Sequence, residues 1–140
     1  MKMSGRKFYY YGSSMHREFR NGEELILQEL PYNLLQKGDI AAILNVNKPY
    51  VHRIIRITPD GIVTKGDNNA QQDTKRLLPE DDFYLVTHAI SLNNRTRRIA
   101  RSNIGMMVYY QHQVRRVLRS YAGQILRLLK ILPARNRPGS

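Results

Sequence analysis

Four short stretches of the sequence carry side chains that together can perform nucleophilic chemistry. "GSSM" (12–15) presents two serine hydroxyls, His52 lies in the apolar stretch "YVHRII", Asp67 lies in "TKGDNN" and Asp73 lies in "QQDTK". A serine hydroxyl becomes a nucleophile when a neighbouring base takes its proton, and neutral imidazole does this near pH 7. A carboxylate behind the ring fixes its tautomer and stabilises the imidazolium. The chain therefore holds the parts of a serine hydrolase.

Each stretch taken alone also has an ordinary structural explanation. A Gly-Ser-Ser cluster is typical of a turn or a helix cap, and a Gly-Asp-Asn cluster is typical of a turn. A single histidine in a strand is commonly structural, and Asp73 fits a solvated loop. The histidines at positions 16, 52, 88 and 112 lack metal-ligand spacing and the chain has no cysteine, so we expect no metal and no other cofactor.

These side chains must be positioned by a run of short strands. Residues 23–30, 38–46, 50–58, 62–66 and 81–92 are rich in β-branched and other apolar residues and are separated by turn signals. "PDG" (59–61) is one such turn, which predicts a hairpin between its two flanking strands. The pattern predicts a mainly β domain over residues 1–92, either a small antiparallel sheet or a partly open barrel.

The character of the chain changes after residue 92. Residues 93–103 form a basic connector, and residues 104–132 have the apolar spacing of an amphipathic helix. The opposite side of this helix is basic and carries Arg115, Arg116, Arg119, Arg127 and Lys130. Pro133 ends the helical pattern, and residues 133–140 are expected to be a flexible tail.

The charge is divided in the same way. Residues 1–94 hold 12 Lys/Arg and all 11 Asp/Glu, whereas residues 95–140 hold 11 Lys/Arg and no acid. Such a basic segment attracts phosphate, on nucleic acid or on an anionic membrane surface. The sequence shows no signal-peptide pattern and no apolar run of spanning length, so we expect a cytoplasmic or peripherally membrane-associated protein.

In this order and combination the four stretches resemble the signal peptidase I clan of serine proteases. "GSSM", "FRNGEELIL", "KGDIAAI", "VHRII" and "TKGDNN" followed by Asp73 are similar to that clan's successive signatures across about residues 12–90. The histidine in a Val-His-Arg context is similar to the endoplasmic reticulum and archaeal type. The resemblance implies the clan's β fold and a serine endopeptidase that cuts an extended precursor polypeptide after small residues.

The resemblance also implies a role for each site residue. The serine before methionine, Ser14, is the nucleophile, His52 is the general base, Asp73 is the acid of the triad and Asp67 is a supporting acid. The residues around the nucleophile, Gly12, Ser13 and Met15, form the site turn. Because a glycine stands at position 12, where some relatives have a serine, the oxyanion is expected to rely on backbone N–H groups, with that of Ser14 as the natural donor.

Two alternatives remain for the basic C-terminal segment. Helix 104–132 lies flat on an anionic membrane, or its apolar stripe packs on the β domain or on a second copy of the chain. A protein of a different class is also open, in which the β part is catalytically inactive and the basic segment binds nucleic acid or a membrane surface. Nucleic acid is the less favoured of these partners.

Overall fold

Seven antiparallel strands, a short 3-10 helix (Tyr32–Leu34) and one long α-helix make up the described part of the chain. The computed structural model describes residues 5–131. The strands are β1 (Arg6–Tyr9), β2 (Glu24–Gln28), β3 (Ile40–Ile43), β4 (Tyr50–Thr58), β5 (Gly61–Lys65), β6 (Phe83–Ile90) and β7 (Thr96–Arg98), and the helix is α1 (Ser102–Ile131). The predicted mainly β fold with a C-terminal helix is confirmed.

The strands form one open sheet in the order β1-β2-β6-β3-β4-β5, with β7 also paired to β6. β4 and β5 form the hairpin that the Pro-Asp-Gly turn predicted, with Thr58 opposite Gly61. Strand β6 pairs with β2 along one edge and with β3 and then β7 along the other. The strand that carries His52, β4, thus lies between β3 and β5, inside the sheet.

Apolar side chains cover both faces of the sheet centre. Alternate side chains of a strand point to opposite faces of the sheet. All four residues of β3 are buried because both of its faces are covered. Ile40 and Ala42 pack with Met15 and Phe19 in one cluster, and the remaining β3 residues pack in a second cluster that includes Ile62 of β5. Neighbouring residues of β4 therefore meet different surroundings.

Two strands were not predicted from the sequence. β1 and β7 are short and consist largely of basic and aromatic residues, so neither has an apolar alternation to reveal it. β1 lies at the edge of the sheet, and short charged strands are common there. β7 lies within residues 93–103, so part of the predicted connector is a strand paired to β6.

Helix α1 begins two residues before the predicted start, and its first turns pack on the sheet. Arg101 donates to both carboxylate oxygens of the fully buried Asp39, at 2.9 and 2.8 Å. Gly105 allows the backbones to touch, since a Cβ there would stand 2.3 Å from the Gly38 carbonyl oxygen. Tyr109 and His112 are buried one and two turns later. The predicted end at residue 132 and the predicted tail 133–140 lie outside the described residues.

Of the alternatives left open for the apolar stripe of α1, packing on the β part is not what the structure has. The residues that pack on the sheet, Gly105, Tyr109 and His112, are spaced by four and three, and Arg116 and Arg119 continue that spacing. The basic face is therefore the continuation of the packed face. The apolar stripe lies on the other side and is exposed throughout, at Ile104, Met107, Tyr110, Val114, Val117, Leu118, Tyr121, Ile125, Leu128 and Leu129.

Candidate active site

The histidine and the second aspartate of the predicted site meet beside the β4–β5 hairpin. His52 Nδ1 lies 2.6 Å from Asp73 Oδ2. The Thr64 hydroxyl donates to the same carboxylate oxygen at 2.5 Å, and the Asp73 N–H donates to the Thr64 carbonyl at 2.9 Å. The loop that follows β5 therefore returns to that strand and holds the carboxylate against the imidazole.

The surroundings of His52 fix the ring while leaving it a route to solvent. Its side chain is 10 % exposed and packs on the Tyr50 ring at a centroid distance of 4.9 Å. His52, Tyr50 and Asp73 line an open cavity of about 450 Å³. With its Nδ1–H directed to Asp73, a neutral ring presents Nε2 as the base.

The predicted nucleophile lies in a compact turn between β1 and β2. Gly12 has a φ of 147°, a value that favours glycine, and its N–H donates to Asn21 Oδ1 at 2.8 Å. The Met15 N–H donates to the Tyr10 hydroxyl at 2.9 Å, and the Met15 side chain is fully buried. Between these anchors Ser13 is exposed and Ser14 is partly buried.

A second turn, just after β5, holds the backbone of Ser14. The Asn68 N–H donates to the Ser14 carbonyl at 2.7 Å, and the Asn68 side-chain amide donates to the Ser13 carbonyl at 3.1 Å. A Cβ at Gly66 would stand 2.8 Å from the Ser14 Cβ, so only glycine fits there. Ser14 therefore lies against the end of β5, the strand whose Thr64 holds Asp73.

In the part of the chain that the structure describes, the serine and the histidine share no hydrogen bond. Across residues 5–131, the Ser14 hydroxyl makes none with the His52 ring. Such contacts are often long without substrate and tighten in the complex. The structure thus brings His52 and Asp73 together and places Ser14 on the adjoining turn.

Asp67 lies away from His52, in a buried charge cluster on the other face of β4. Arg53, which is fully buried, donates to Asp67 at 2.9 Å from Nε and at 2.8 Å from Nη2. His112 of α1 lies 2.7 Å from the same carboxylate. Burial raises the pKa of Asp67, but the hydrogen bonds from His112 and Arg53 outweigh it and hold this pKa below its usual value of 3.8.

This cluster contacts residues 12–18, the turn that carries Ser14 and is called the nucleophile turn below, on the side of the buried Met15. The Asp67 N–H points to Met15 Sδ at 3.2 Å, and the Gln113 amide donates to the Asp67 carbonyl at 2.8 Å. Arg53 also donates to the Gly38 and Gly105 carbonyls, both at 3.1 Å. Asp67 therefore connects α1 with the turn that carries Ser14.

The charge cluster also contains the atoms that could ligate a metal. Donor atoms of Glu18, Asp67 and His112 lie within 4.8 Å of one another. The Arg53 guanidinium lies among them, with Nη2 at 3.2 Å from Glu18 and 2.8 Å from Asp67. Because Arg53 pairs with both carboxylates and Arg97 also pairs with Glu18, two arginines already supply the charge that balances Glu18 and Asp67, and the donor set does not fit a metal ion.

Sequence reasoning did not find the helix residues of this network. His112 and Gln113 sit in a stretch that reads only as amphipathic helix, so only their packing on the sheet reveals them. Arg53 did carry a signal: an arginine inside the apolar stretch "VHRII" requires a buried acidic partner. Of the predicted basic residues, Arg115, Arg119, Arg127 and Lys130 are exposed and Arg116 is partly buried.

Comparison with known proteins finds a sequence relative over part of the chain. Over 79 residues the chain is 35% identical to the signal peptidase complex catalytic subunit SEC11 of Pyricularia oryzae (strain 70-15), a match that covers 50% of this chain and 45% of that protein. The chain therefore spans less than half the length of the relative it matches. No family model matches the chain, and no solved structure matches it. Within the described residues no helix is long and apolar enough to span a membrane. At this level the chain is similar, over part of its length, to a signal peptidase catalytic subunit.

Proposed function

We propose that this protein is a serine endopeptidase of the signal peptidase type, with Ser14 as nucleophile, His52 as general base and Asp73 as the acid that orients it. The observation that carries the proposal is the His52–Asp73 contact of 2.6 Å, made by the two residues that the resemblance singles out. Its support is the turn that presses Ser14 against the same hairpin. The partial likeness to a signal peptidase catalytic subunit points the same way.

In this mechanism His52 Nε2 takes the proton of the Ser14 hydroxyl as the oxygen attacks the scissile carbonyl. Asp73 accepts the Nδ1–H of the ring and stabilises the imidazolium that forms. The imidazolium then protonates the leaving amine, and water releases the acyl group by the reverse sequence. Thr64 acts through Asp73, because its hydroxyl holds the carboxylate in place.

The oxyanion donor in this mechanism is the Ser14 N–H. Two amides of the same turn are engaged elsewhere, since the Gly12 N–H donates to Asn21 and the Met15 N–H donates to Tyr10. A backbone donor held by a rigid turn needs little reorganisation when charge develops on the carbonyl oxygen. Asp67 supports this turn from behind and does not take part in proton transfer.

The substrate in this proposal is an extended segment of a precursor polypeptide, cut after a small residue. β1 runs directly into the nucleophile turn, and among the described residues no strand pairs with its outer edge. An extended peptide can add to such an edge through main-chain hydrogen bonds. The far edge of β5 is covered by the loop that carries Asp73 and Leu77.

Two adjacent serines allow a matched test of the nucleophile. We expect Ser14→Ala to lower cleavage of an extended peptide with an alanine at the cut by about 10⁴-fold or more, because the remaining groups cannot replace the nucleophile. Ser13→Ala, one residue away and exposed, should keep wild-type kcat. Asp73→Asn should lower kcat by about 10⁴-fold without unfolding the domain. Wild-type cleavage by Ser14→Ala would remove the proposal.

A second proposed activity is attachment to an anionic membrane through α1. The observation that favours it is the exposed apolar stripe, which faces away from the sheet from Met107 to Leu129. The other face of the helix is basic, so the apolar stripe can enter the interface while the long cationic side chains attract the anionic lipid surface. This activity is compatible with a catalytic β domain and also with an inactive one, and it favours a membrane over nucleic acid as the partner of the basic segment.

A further inference from the structure

An arginine-lined cavity lies between the nucleophile turn, the β6–β7 connection and α1, separate from the cavity beside His52. Its volume is about 1030 Å³, near the upper end for small-ligand sites. Six arginines line it: Arg17, Arg20, Arg95, Arg97, Arg115 and Arg119. The concentration of positive charge in one concave surface is the feature that needs an explanation.

The acidic residues of this cavity do not neutralise its cations. Glu18 and Glu23 are its only acidic lining residues among the described part of the chain. Glu18 pairs with Arg97 and Arg53, and Glu23 pairs with Arg97. The other five arginines take part in no ion pair within residues 5–131. They line a cavity whose two carboxylates are already paired with other arginines.

Arg17 shows this imbalance most clearly. Its Nε is buried and has no hydrogen-bond partner among the described residues. Burial, together with repulsion from Arg119, Arg115 and Arg116, lowers the pKa of the Arg17 guanidinium from its usual value. A buried donor without an acceptor is costly, and an anion in the cavity would supply the acceptor and relieve the repulsion.

We propose that this cavity binds the phosphate group of a phosphate ester, through Arg17 from the nucleophile turn and Arg115 and Arg119 from α1. Guanidinium groups match phosphate oxygens in paired hydrogen bonds and are well suited to this ligand. The volume leaves room for the organic part of the ester. Two sources supply this chemistry, a phospholipid headgroup and a soluble phosphate ester. The proposal is independent of whether Ser14 is a nucleophile.

The test compares two double variants of the full chain with the same loss of charge. Arg115→Gln with Arg119→Gln removes the helix side of the cavity, and Arg127→Gln with Lys130→Gln removes two cations of the same face beyond it. All four side chains are exposed or at the cavity rim, so both variants should fold. The thermal midpoint is measured in sodium phosphate and in sodium chloride at equal ionic strength.

We expect the thermal midpoint of the wild type and of the Arg127/Lys130 variant to be several degrees higher in phosphate than in chloride. In the Arg115/Arg119 variant this difference between phosphate and chloride should disappear. Phosphate also stabilises proteins by exclusion from their surface, but that effect is common to both variants. An equal rise in both variants, or no rise over chloride in the wild type, overturns the proposal.

Flotation with phosphatidylglycerol vesicles distinguishes the two sources of phosphate. If the Arg115/Arg119 variant loses more vesicle binding than the Arg127/Lys130 variant, the ligand is a lipid headgroup. If both variants bind vesicles equally while the thermal difference persists, the ligand is a soluble phosphate ester. Either flotation result is consistent with a phosphate site. The proposal itself is overturned only by the comparison of thermal midpoints in phosphate and chloride.

Discussion

Two adjacent residues of β4 contact two different carboxylates, and the proposed chemistry depends on this division. His52 meets Asp73 on one face of the strand, and Arg53 meets Asp67 on the other. The first pair lines an open cavity and has the geometry for proton transfer. The second pair is buried, so it acts on the position of the nucleophile turn. Each aspartate thus lies on the face that its proposed role would require.

The buried pair leads to a prediction about acid stability. Because the pKa of Asp67 is lower in the folded chain than its unfolded value of about 3.9, the carboxylate contributes stability above that pH and loses it as the pH falls through the lowered pKa. Asp67→Asn should cost about 3 kcal/mol at pH 7, since it removes the nearest counter-charge of the buried Arg53 and leaves only Glu18, at 3.2 Å, paired with it among the described residues. Urea unfolding from pH 7 to pH 3 measures both effects.

The matched control for this measurement is Asp60→Asn in the exposed β4–β5 turn. The free energy of unfolding of Asp60→Asn should depend on pH as that of the wild type does. For Asp67→Asn this free energy should fall less steeply below about pH 4, because the substituted side chain no longer takes up a proton on unfolding. Equal stability of Asp67→Asn and wild type at neutral pH would show that the buried cluster does not hold the turn.

At the scale of elements, α1 consists of a packed part and an exposed part. Its first three turns contribute a carbonyl to Arg53, an imidazole to Asp67 and a side-chain amide to the Asp67 carbonyl. Lys65 of β5 adds hydrogen bonds to Tyr109 and Gln113 at 3.1 and 2.9 Å. From Val114 to Lys130 none of the residues is buried. The first turns of α1 therefore help to hold the charge cluster that lies next to the candidate site.

Two glycines of the same helix face separate these parts experimentally. Gly105→Ala should destabilise the chain by about 1–3 kcal/mol, because its Cβ would meet the Gly38 backbone. Gly123→Ala has nothing within 4 Å of the new Cβ and should stabilise by up to about 1 kcal/mol through helix propensity. Chemical denaturation measures both, and an equal effect of the two substitutions would contradict the division of the helix.

At the scale of the whole molecule, the nearly neutral β part and the basic C-terminal part present different surfaces. The apolar stripe of α1 faces away from the sheet, so it is available to a membrane without disturbing the site. The cations lie on the continuation of the packed face and around the arginine cavity. An interfacial orientation of α1 would bring the β domain close to the lipid surface.

Vesicle flotation tests this orientation. The wild type should bind anionic vesicles and should dissociate as salt rises, because headgroup attraction is screened. Val114→Ser with Leu118→Ser should weaken binding about tenfold or more through lost apolar burial, while Ser120→Ala, off the stripe, should not. No binding to anionic vesicles, together with a dimer in light scattering, would show that a second copy covers the stripe instead.

By itself, the sequence predicted five of the seven described strands, the helix and the residues proposed here for catalysis. Apolar alternation, the Pro-Asp-Gly turn and the three-four spacing of the helix are local signals, and the order of "GSSM", "VHRII", "TKGDNN" and Asp73 is a linear one. Five strands and the helix could be predicted for this reason. β1 and β7 could not, because pairing with a neighbour defines an edge strand more than its own composition does.

Only the tertiary structure decided which charges meet. Residue type alone does not distinguish Asp67 from Asp73; the family resemblance assigned them different roles, and the return of the loop to Thr64 is the contact that directs Asp73 to the imidazole. The partner of Arg53, the role of His112 and the arginine cavity depend on contacts between residues 14 to 79 positions apart. Electrostatic partners are selected by distance in space, which periodicity along the chain does not encode.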